Sequence, residues 1–307
     1  MMSLASTVLA LLMFIPLLLT SAENLRGTEV DEAITLDESR YASRQEFHST
    51  GGRCRTADLS EEESASREAM LIAIPEAMLN NNQKIVRVFL HVITSFSGFG
   101  NLPGSAIDAQ MAVLNKAVKG SSIQFELTAT KVTANDNWHK AKMNSDAEKQ
   151  MKKALRRGRY NDLNIYTTAQ SDNTLGWATF PGNVGSAFDQ DGVVVDFRTF
   201  PGGSFAPYNL GQTVSHEVGH WLGLQHTFNG GCASSTTAGD QVADTPAEAS
   251  PNVGCPASRN TCPGNSGAMA GDDPIHNYMD YSDDRCMDNL TPGQKTRIKK
   301  QWALYRA

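Results

Sequence analysis

His216-Glu217-Val218-Gly219-His220-Trp221-Leu222-Gly223-Leu224-Gln225-His226 places three histidines, one glutamate and two glycines in eleven residues. Residues four apart share a helix face, so a helix here lets His216 and His220 offer two imidazole nitrogens to one ion. Glu217 then neighbours that ion without having to bind it. Gly223 lets the chain leave the helix through a positive φ, so that His226 returns as a third ligand. Three protein ligands keep one position for a water molecule, the mark of a catalytic rather than a structural zinc. Glu217 stands where it can take that water's proton and pass it to a leaving amine. A His-Glu-x-x-His match arises by chance in about one chain in a hundred of this length, and with the spaced glycine and third histidine in about one in fifty thousand.

Working backwards, Gly211 to Leu224 has the periodicity of the helix that carries these ligands. Before it, KIVRVFLHVIT from Lys84, Ile123 to Val132, Leu163 to Thr168 and Gly192 to Phe200 predict strands. Ala106 to Val118 and Ser145 to Arg157 predict amphipathic helices between them, and GWATFPG at 176 to 182 an edge strand or rim. That alternation predicts an α/β sheet. Beyond Gly223 regular structure is scarce until Thr291, which can cap a last helix beginning at Pro292.

The amino-terminal part has another character. Residues 1 to 22 contain an apolar run from Val8 to Leu19 and a small-residue exit at Thr20, Ser21 and Ala22, which predicts a secretory signal peptide. An uncleaved anchor is the alternative, since no basic residue precedes the run. Residues 23 to 83 are acidic and Ser- and Glu-rich, with a short helical stretch at Ala65 to Leu79, and are expected to be a propeptide. The formal charge of −6 belongs to this leader: residues 1 to 83 hold six Lys or Arg against thirteen Asp or Glu, residues 84 to 307 twenty-one against twenty. No region is basic enough for nucleic acid, and Lys149 to Arg159 is expected to be a solvated helix face. Four of the five cysteines, at 232, 255, 262 and 286, lie together near the carboxyl end, enough for two disulfides in any of three connectivities. Cys54 is the odd one, either a free or intermolecular thiol or a removable zinc ligand. His48, His91, His139 and His276 lack partners at ligand spacing and are expected to be ordinary residues.

The eleven-residue signature resembles that of the metzincins, whose second mark is a tight turn with a methionine under the zinc; Asn277-Tyr278-Met279-Asp280-Tyr281 fits it. HTFNGGC (226 to 232), GDQVADTP (239 to 246), GCP (254 to 256), TCP (261 to 263) and DPIHNYMDYSDDRCM (273 to 287) resemble the pappalysin family, particularly its fungal secreted and ulilysin-like members. Over 84 to 307 the resemblance implies a metzincin catalytic domain. Its upper α/β subdomain would hold a twisted, mostly parallel sheet, two long helices and the zinc helix. An irregular, disulfide-stapled lower subdomain would end in a helix. It further implies Met279 as the hydrophobic floor, Tyr281 as donor to a developing oxyanion, disulfides Cys232–Cys262 and Cys255–Cys286, and calcium at Asp240, Asp244 and Thr245. Tyr281 in a purely packing role, and turn or capping roles for the three calcium candidates, are the plainer alternatives. Relatives carry a propeptide cysteine followed by glycine, where this chain has Arg55; Cys54 on zinc would keep a precursor latent.

The expectation is therefore a secreted zinc endopeptidase acting as a monomer on proteins or peptides, without stable membrane association. The side-chain pocket beside the zinc carries acidic residues that would favour a basic substrate residue. Asn289-Leu290-Thr291 is a sequon for a glycan, with Pro292 against it. A different class of zinc hydrolase would use a downstream glutamate as third ligand, and a binding protein that had lost catalysis would lack Glu217 or a histidine.

Overall fold

The computed structural model describes residues 43 to 307 except 76, 78, 80, 81, 171, 186, 233 to 238 and 265 to 269. The expected signal peptide, residues 1 to 22, and the first part of the expected propeptide lie outside the described residues. In the rest of the leader, α1 (Arg44–Ser49) and α2 (Glu61–Ile72) flank an extended stretch. β1 (Lys84–Thr94), α3 (Gly104–Ala117), β2 (Ile123–Ala134), α4 (Asp136–His139), α5 (Asp146–Leu155), β3 (Leu163–Thr168), β4 (Gly176–Ala178), β5 (Val193–Asp196), α6 (Gln212–Trp221) and α7 (Pro292–Tyr305) follow. No described helix is long and apolar enough to cross a membrane.

The strands form one sheet in the order β2-β1-β3-β5-β4. Every pairing is parallel except β4 with β5, which leaves β4 as an antiparallel edge. A mostly parallel sheet is stable only with both faces covered. On one face Val86, Val88, Leu90 and Val92 of β1 join Ile165, Val193 and Val195 beneath Leu114 of α3 and Val214, Val218 and Trp221 of α6. On the other, Ile93, Tyr166, Trp177 and Val194 pack on Met151 and Leu155 of α5. Inward residues of α3 recur at Ile107, Gln110, Leu114 and Ala117, the spacing of one helix face.

Between α6 and α7 the chain is held by side chains instead of elements. Disulfides join Cys232 to Cys262 and Cys255 to Cys286. Buried Glu248 accepts from Thr227 Oγ1 at 2.9 Å and from Arg259 at 2.7 Å, and Arg259 also bonds Asp273 at 2.8 Å. Arg306, buried just beyond α7, bonds Asp191 at 3.1 Å and lies 3.6 Å from the Trp221 ring centroid, tying α7 to α6.

Several expectations need correction. The leader helix is α2 at Glu61–Ile72 rather than Ala65 to Leu79, because Ser60 and Glu63 form a capping box that starts it earlier. The strand expected to reach Phe200 ends at Asp196, whose carboxylate accepts the Arg198 N–H and turns the chain into a short 3₁₀ segment. The zinc helix is shorter than expected, running from Gln212 after Gly211 (φ +91°) to Trp221. Lys149 to Arg159 is not uniformly solvated: Lys152 is buried 2.7 Å from Glu148, and the Arg156 side chain lies 3.2 Å from buried Asp191. Interior carboxylates draw those two cations inward.

Candidate metal centre

α6 is buried along its whole length. Val214, Val218 and Trp221 face the core, which turns His216, Glu217 and His220 toward the cleft. The helix ends through Gly223 at φ +90°, where a Cβ would meet Gln301 at 2.4 Å, so only glycine fits. Gly219 has a different reason: a Cβ there would meet Met279 Sδ at 2.3 Å. Met279, fully buried, thus lies directly under the helix between the two histidines.

The three rings converge. His220 Nε2 lies 3.2 Å from His216 Nε2 and 3.0 Å from His226 Nε2. Each Nδ1 faces an oxygen that can only accept: Tyr278 O at 2.7 Å for His216, Leu224 O at 2.8 Å for His220, Asp58 Oδ1 at 2.8 Å for His226. Each Nδ1 therefore carries the proton and each Nε2 a lone pair. Lone pairs at these separations repel unless a cation lies among them, and burial holds His216 and His220 well below the usual imidazole range, so a proton does not serve. Cys54 Sγ joins the set, with all four donor atoms within 4.8 Å of one another. Three nitrogens and a sulfur suit zinc. Among the described residues this is the one group of three or more His, Cys, Asp or Glu that could hold an ion.

Glu217 is fully buried, and loss of water pushes its carboxyl up to about 7. Its Oε2 accepts from Thr56 Oγ1 at 2.9 Å, and its Oε1 has no hydrogen-bond partner. Gly176 of β4 lies beside it, where a Cβ would meet Glu217 Cγ at 2.9 Å. The Tyr281 hydroxyl lies 3.3 Å from His226 Nε2 and 3.4 Å from the Cys54 carbonyl oxygen.

The leader enters this cleft as an extended stretch. Leu175 N donates to Gly52 O at 2.8 Å and Arg55 N to Gly176 O at 3.0 Å, so the leader runs in the same direction as β4 along its free edge. Side chains two apart then share a face: Cys54 meets the histidines, Thr56 meets Glu217, and Asp58 meets His226. Arg55 points away and reaches Asp172 at 3.3 Å. Arg53 is fully buried, bonding Thr213 Oγ1 at 2.8 Å, 3.6 Å from Asp284 and 5.1 Å from the Tyr208 ring centroid. Arg44 of α1 grips Asp283 at 3.0 Å, and Arg297 of α7 bonds Glu68 of α2 at 2.5 Å.

Sequence reasoning missed Thr56, Asp58, Arg53 and Gly219; the period of two after Cys54 was the available signal. Asp240 accepts from Val242 N at 3.0 Å, and Asp244 accepts from Gly293 N at the start of α7 at 2.8 Å, so both have the turn and cap contacts of the plainer alternative. No other Asp, Glu, His or Cys joins these two and Thr245 in a metal-sized group among the described residues. The remaining histidines stay outside the cluster. His91 bonds Asn164, His139 bonds Ile93 O, His276 bonds Cys286 O, and His48 shares a hydrogen bond with the Tyr208 hydroxyl at 2.7 Å.

Residues 146–303 match the peptidase M43 family model described as pregnancy-associated plasma protein-A. An extracellular metalloprotease of Verticillium alfalfae is 48% identical over 229 residues, 72% of this chain and 77% of that protein. A promirolysin mutant of Tannerella forsythia is similar in structure, with a TM-score of 0.64 and 25% identity over 78% of this chain and 86% of that one. Mature mirolysin in complex with a cleaved peptide gives a TM-score of 0.58 and 27% identity over 71% and 91%.

Proposed function

The chain belongs to the peptidase M43 pappalysin family of metzincins and is a zinc-dependent metalloendopeptidase, from which we propose that it is secreted as a latent precursor and cleaves peptide bonds with Glu217 as base and acid. Under this proposal residues 1–22 are a signal peptide, 23–83 a propeptide and 84–307 the catalytic domain. Relatives named extracellular metalloproteases and two disulfides support secretion.

The convergence of three Nε2 lone pairs beside a buried, half-unpartnered carboxylate carries the proposal. Zinc on His216, His220 and His226 supplies Lewis acidity toward a peptide carbonyl and a water molecule. Glu217, whose carboxyl burial raises above the ordinary range, would take a proton from a water molecule and return it to the leaving amine. Tyr281, freed of the Cys54 carbonyl, donates to the oxygen on which charge develops. Met279 supports the helix as a soft, buried thioether.

In the precursor the leader disables each part separately. Cys54 Sγ would be a fourth donor to the ion, Thr56 ties up Glu217, and the Cys54 carbonyl engages Tyr281. Arg53 occupies the space beside the zinc helix that a substrate side chain would fill. The Asp284 Oδ1 it faces has no hydrogen bond, so removal of the leader uncovers an acidic pocket that favours a basic residue. A calcium ion on Asp240, Asp244 and Thr245 is also proposed; Asp240, which burial pushes up to about 7, is the carboxylate it would relieve. Asn289 is exposed, as a glycan acceptor must be.

The test is hydrolysis of a denatured generic protein by the secreted, matured chain, with and without a zinc chelator, beside Glu217→Ala. Chelator-sensitive cleavage absent from Glu217→Ala, with zinc content preserved, is expected. Equal cleavage by Glu217→Ala would remove its assigned role.

A further inference from the structure

Arg53 and Asp284 lie toward Leu175 along the edge of β4; toward Thr179, on the other side of Gly176, lies a second cavity of about 480 Å³ that nothing above uses. It adjoins the cleft, since Met143 and Asn144 line both. Trp177 and Ala178 of β4 form one wall and α5 the other. A substrate chain continued along β4 toward Thr179 would reach it. The leader skirts it without filling it: Ala57 and Asp58 stand on the cleft side of Met143 and Asn144, and Arg67 of α2 bonds Asn183 on the far rim.

The charge of the cavity is one-sided. Glu148, its carboxylate, is consumed internally: it accepts from Trp177 Nε1 at 2.6 Å, Asn144 N at 2.6 Å and Lys152 Nζ at 2.7 Å. Lys149 and Lys153, on the same helix face, line the cavity as exposed cations. Lys149 has only a 3.8 Å contact with exposed Asp146, and Lys153 has no ion pair among the described residues. The opposite end of the cleft carries Asp172, Asp283 and Asp284, each facing a leader arginine.

Resting on the peptidase reading above, we propose that this cavity is a second specificity subsite, taking an acidic segment of the substrate on the opposite side of the scissile bond from the basic residue that Asp284 receives. The enzyme then recognises peptides of opposed charge, basic on one side and acidic on the other. The carboxylate of a substrate glutamate reaches Lys149 and Lys153.

The matured, zinc-loaded enzyme is assayed on quenched fluorescent peptides sharing one basic residue and carrying Glu, Gln, Leu or Lys two to four positions away across the scissile bond. Glu is expected to exceed Lys roughly fivefold in kcat/KM, with the change in KM and a decline in added salt. Lys149→Glu/Lys153→Glu, with its thermal midpoint measured to establish folding, is expected to reverse the order. A preference for Leu, or an order untouched by the double variant, overturns the subsite. Failure of the peptidase reading looks different: no peptide and no denatured protein is cleaved in a chelator-sensitive way.

Discussion

Asp284→Asn in the matured enzyme should convert a strong preference for basic residues into indifference. In the precursor both Arg53 and Asp284 are fully buried, so neither charge is screened by water. Burial pushes Asp284 up to about 6, held down by Arg53 and by N–H bonds to Oδ2 from Leu210 at 2.9 Å and Gln212 at 3.2 Å. Oδ2 is thus committed to the backbone, and Oδ1 alone serves the cation. Truncating one partner of a buried charge pair costs about 2–5 kcal/mol. A separation of 3.6 Å with no direct hydrogen bond puts this pair at the lower end, about 2–3 kcal/mol, or roughly 30- to 150-fold. Asparagine keeps the volume and the backbone contacts, so the fold is retained. The assay is kcat/KM on peptides differing only in Arg, Lys, Met or Leu at the position facing Asp284. The Arg-to-Met ratio should fall by that factor in Asp284→Asn while the Met peptide changes little. An undiminished ratio would refute the assignment of Asp284 as the pocket's anion, and loss of the Met peptide as well would show a structural role instead.

Cys54→Ser should give a precursor that cleaves itself or substrate prematurely, read as processing on a gel over time; unchanged latency would remove the thiol from the mechanism. Latency should also weaken in acid through His48, which burial, then Arg53 and Arg44, lower to about 3. The freed leader binds a proton below about 6.5 that the docked state refuses, so docking is complete above that pH and is lost toward 3, by about 2 kcal/mol at pH 5. Precursor activity relative to matured enzyme, followed from pH 7 to 5, should rise in wild type and stay flatter in His48→Gln; identical profiles would exclude His48. Asp240 has the opposite sign: a carboxyl raised from 3.8 to about 7 subtracts stability as pH climbs through that interval. Calcium should therefore raise the thermal midpoint at pH 8, and Asp240→Asn should raise it without calcium and abolish the response; a midpoint insensitive to calcium would end that proposal. Replacing Cys232 and Cys262 by alanine should cost about 3–4 kcal/mol, since their separation of 30 residues sets the loop released in the unfolded chain; a midpoint within a degree of wild type would contradict this.

The sheet was legible because its strands and helices keep distinct hydrophobic periods, and Leu163–Thr168 runs as the pattern predicted. α7 follows from Thr291 and Pro292, a local capping signal. The metal helix is legible for the same reason: His216, His220, Gly223 and His226 are neighbours in sequence, and their geometry follows from helix pitch. What sequence did not disclose lies in contacts across 160 residues or more. Thr56 to Glu217, Asp58 to His226 and Arg53 to Thr213 join an acidic, weakly patterned leader to a helix far along the chain. Composition marked that leader only as unlike the domain. Lys152 was misplaced because its interior partner Glu148, though only four residues away, is itself drawn inward by Trp177.

The bond from His226 to Asp58 puts a second leader residue on the histidine cluster beside Cys54, so that under the proposed latency the leader would supply both a fourth donor and the anion that orients the third. Cutting the leader removes both. Under the proposed maturation the precursor would be the tighter zinc host and the matured enzyme the leakier one, an order of assembly with metal first and scission second. Zinc content of the uncut and cut chains after dialysis against a chelator would then differ, the cut chain losing its ion first.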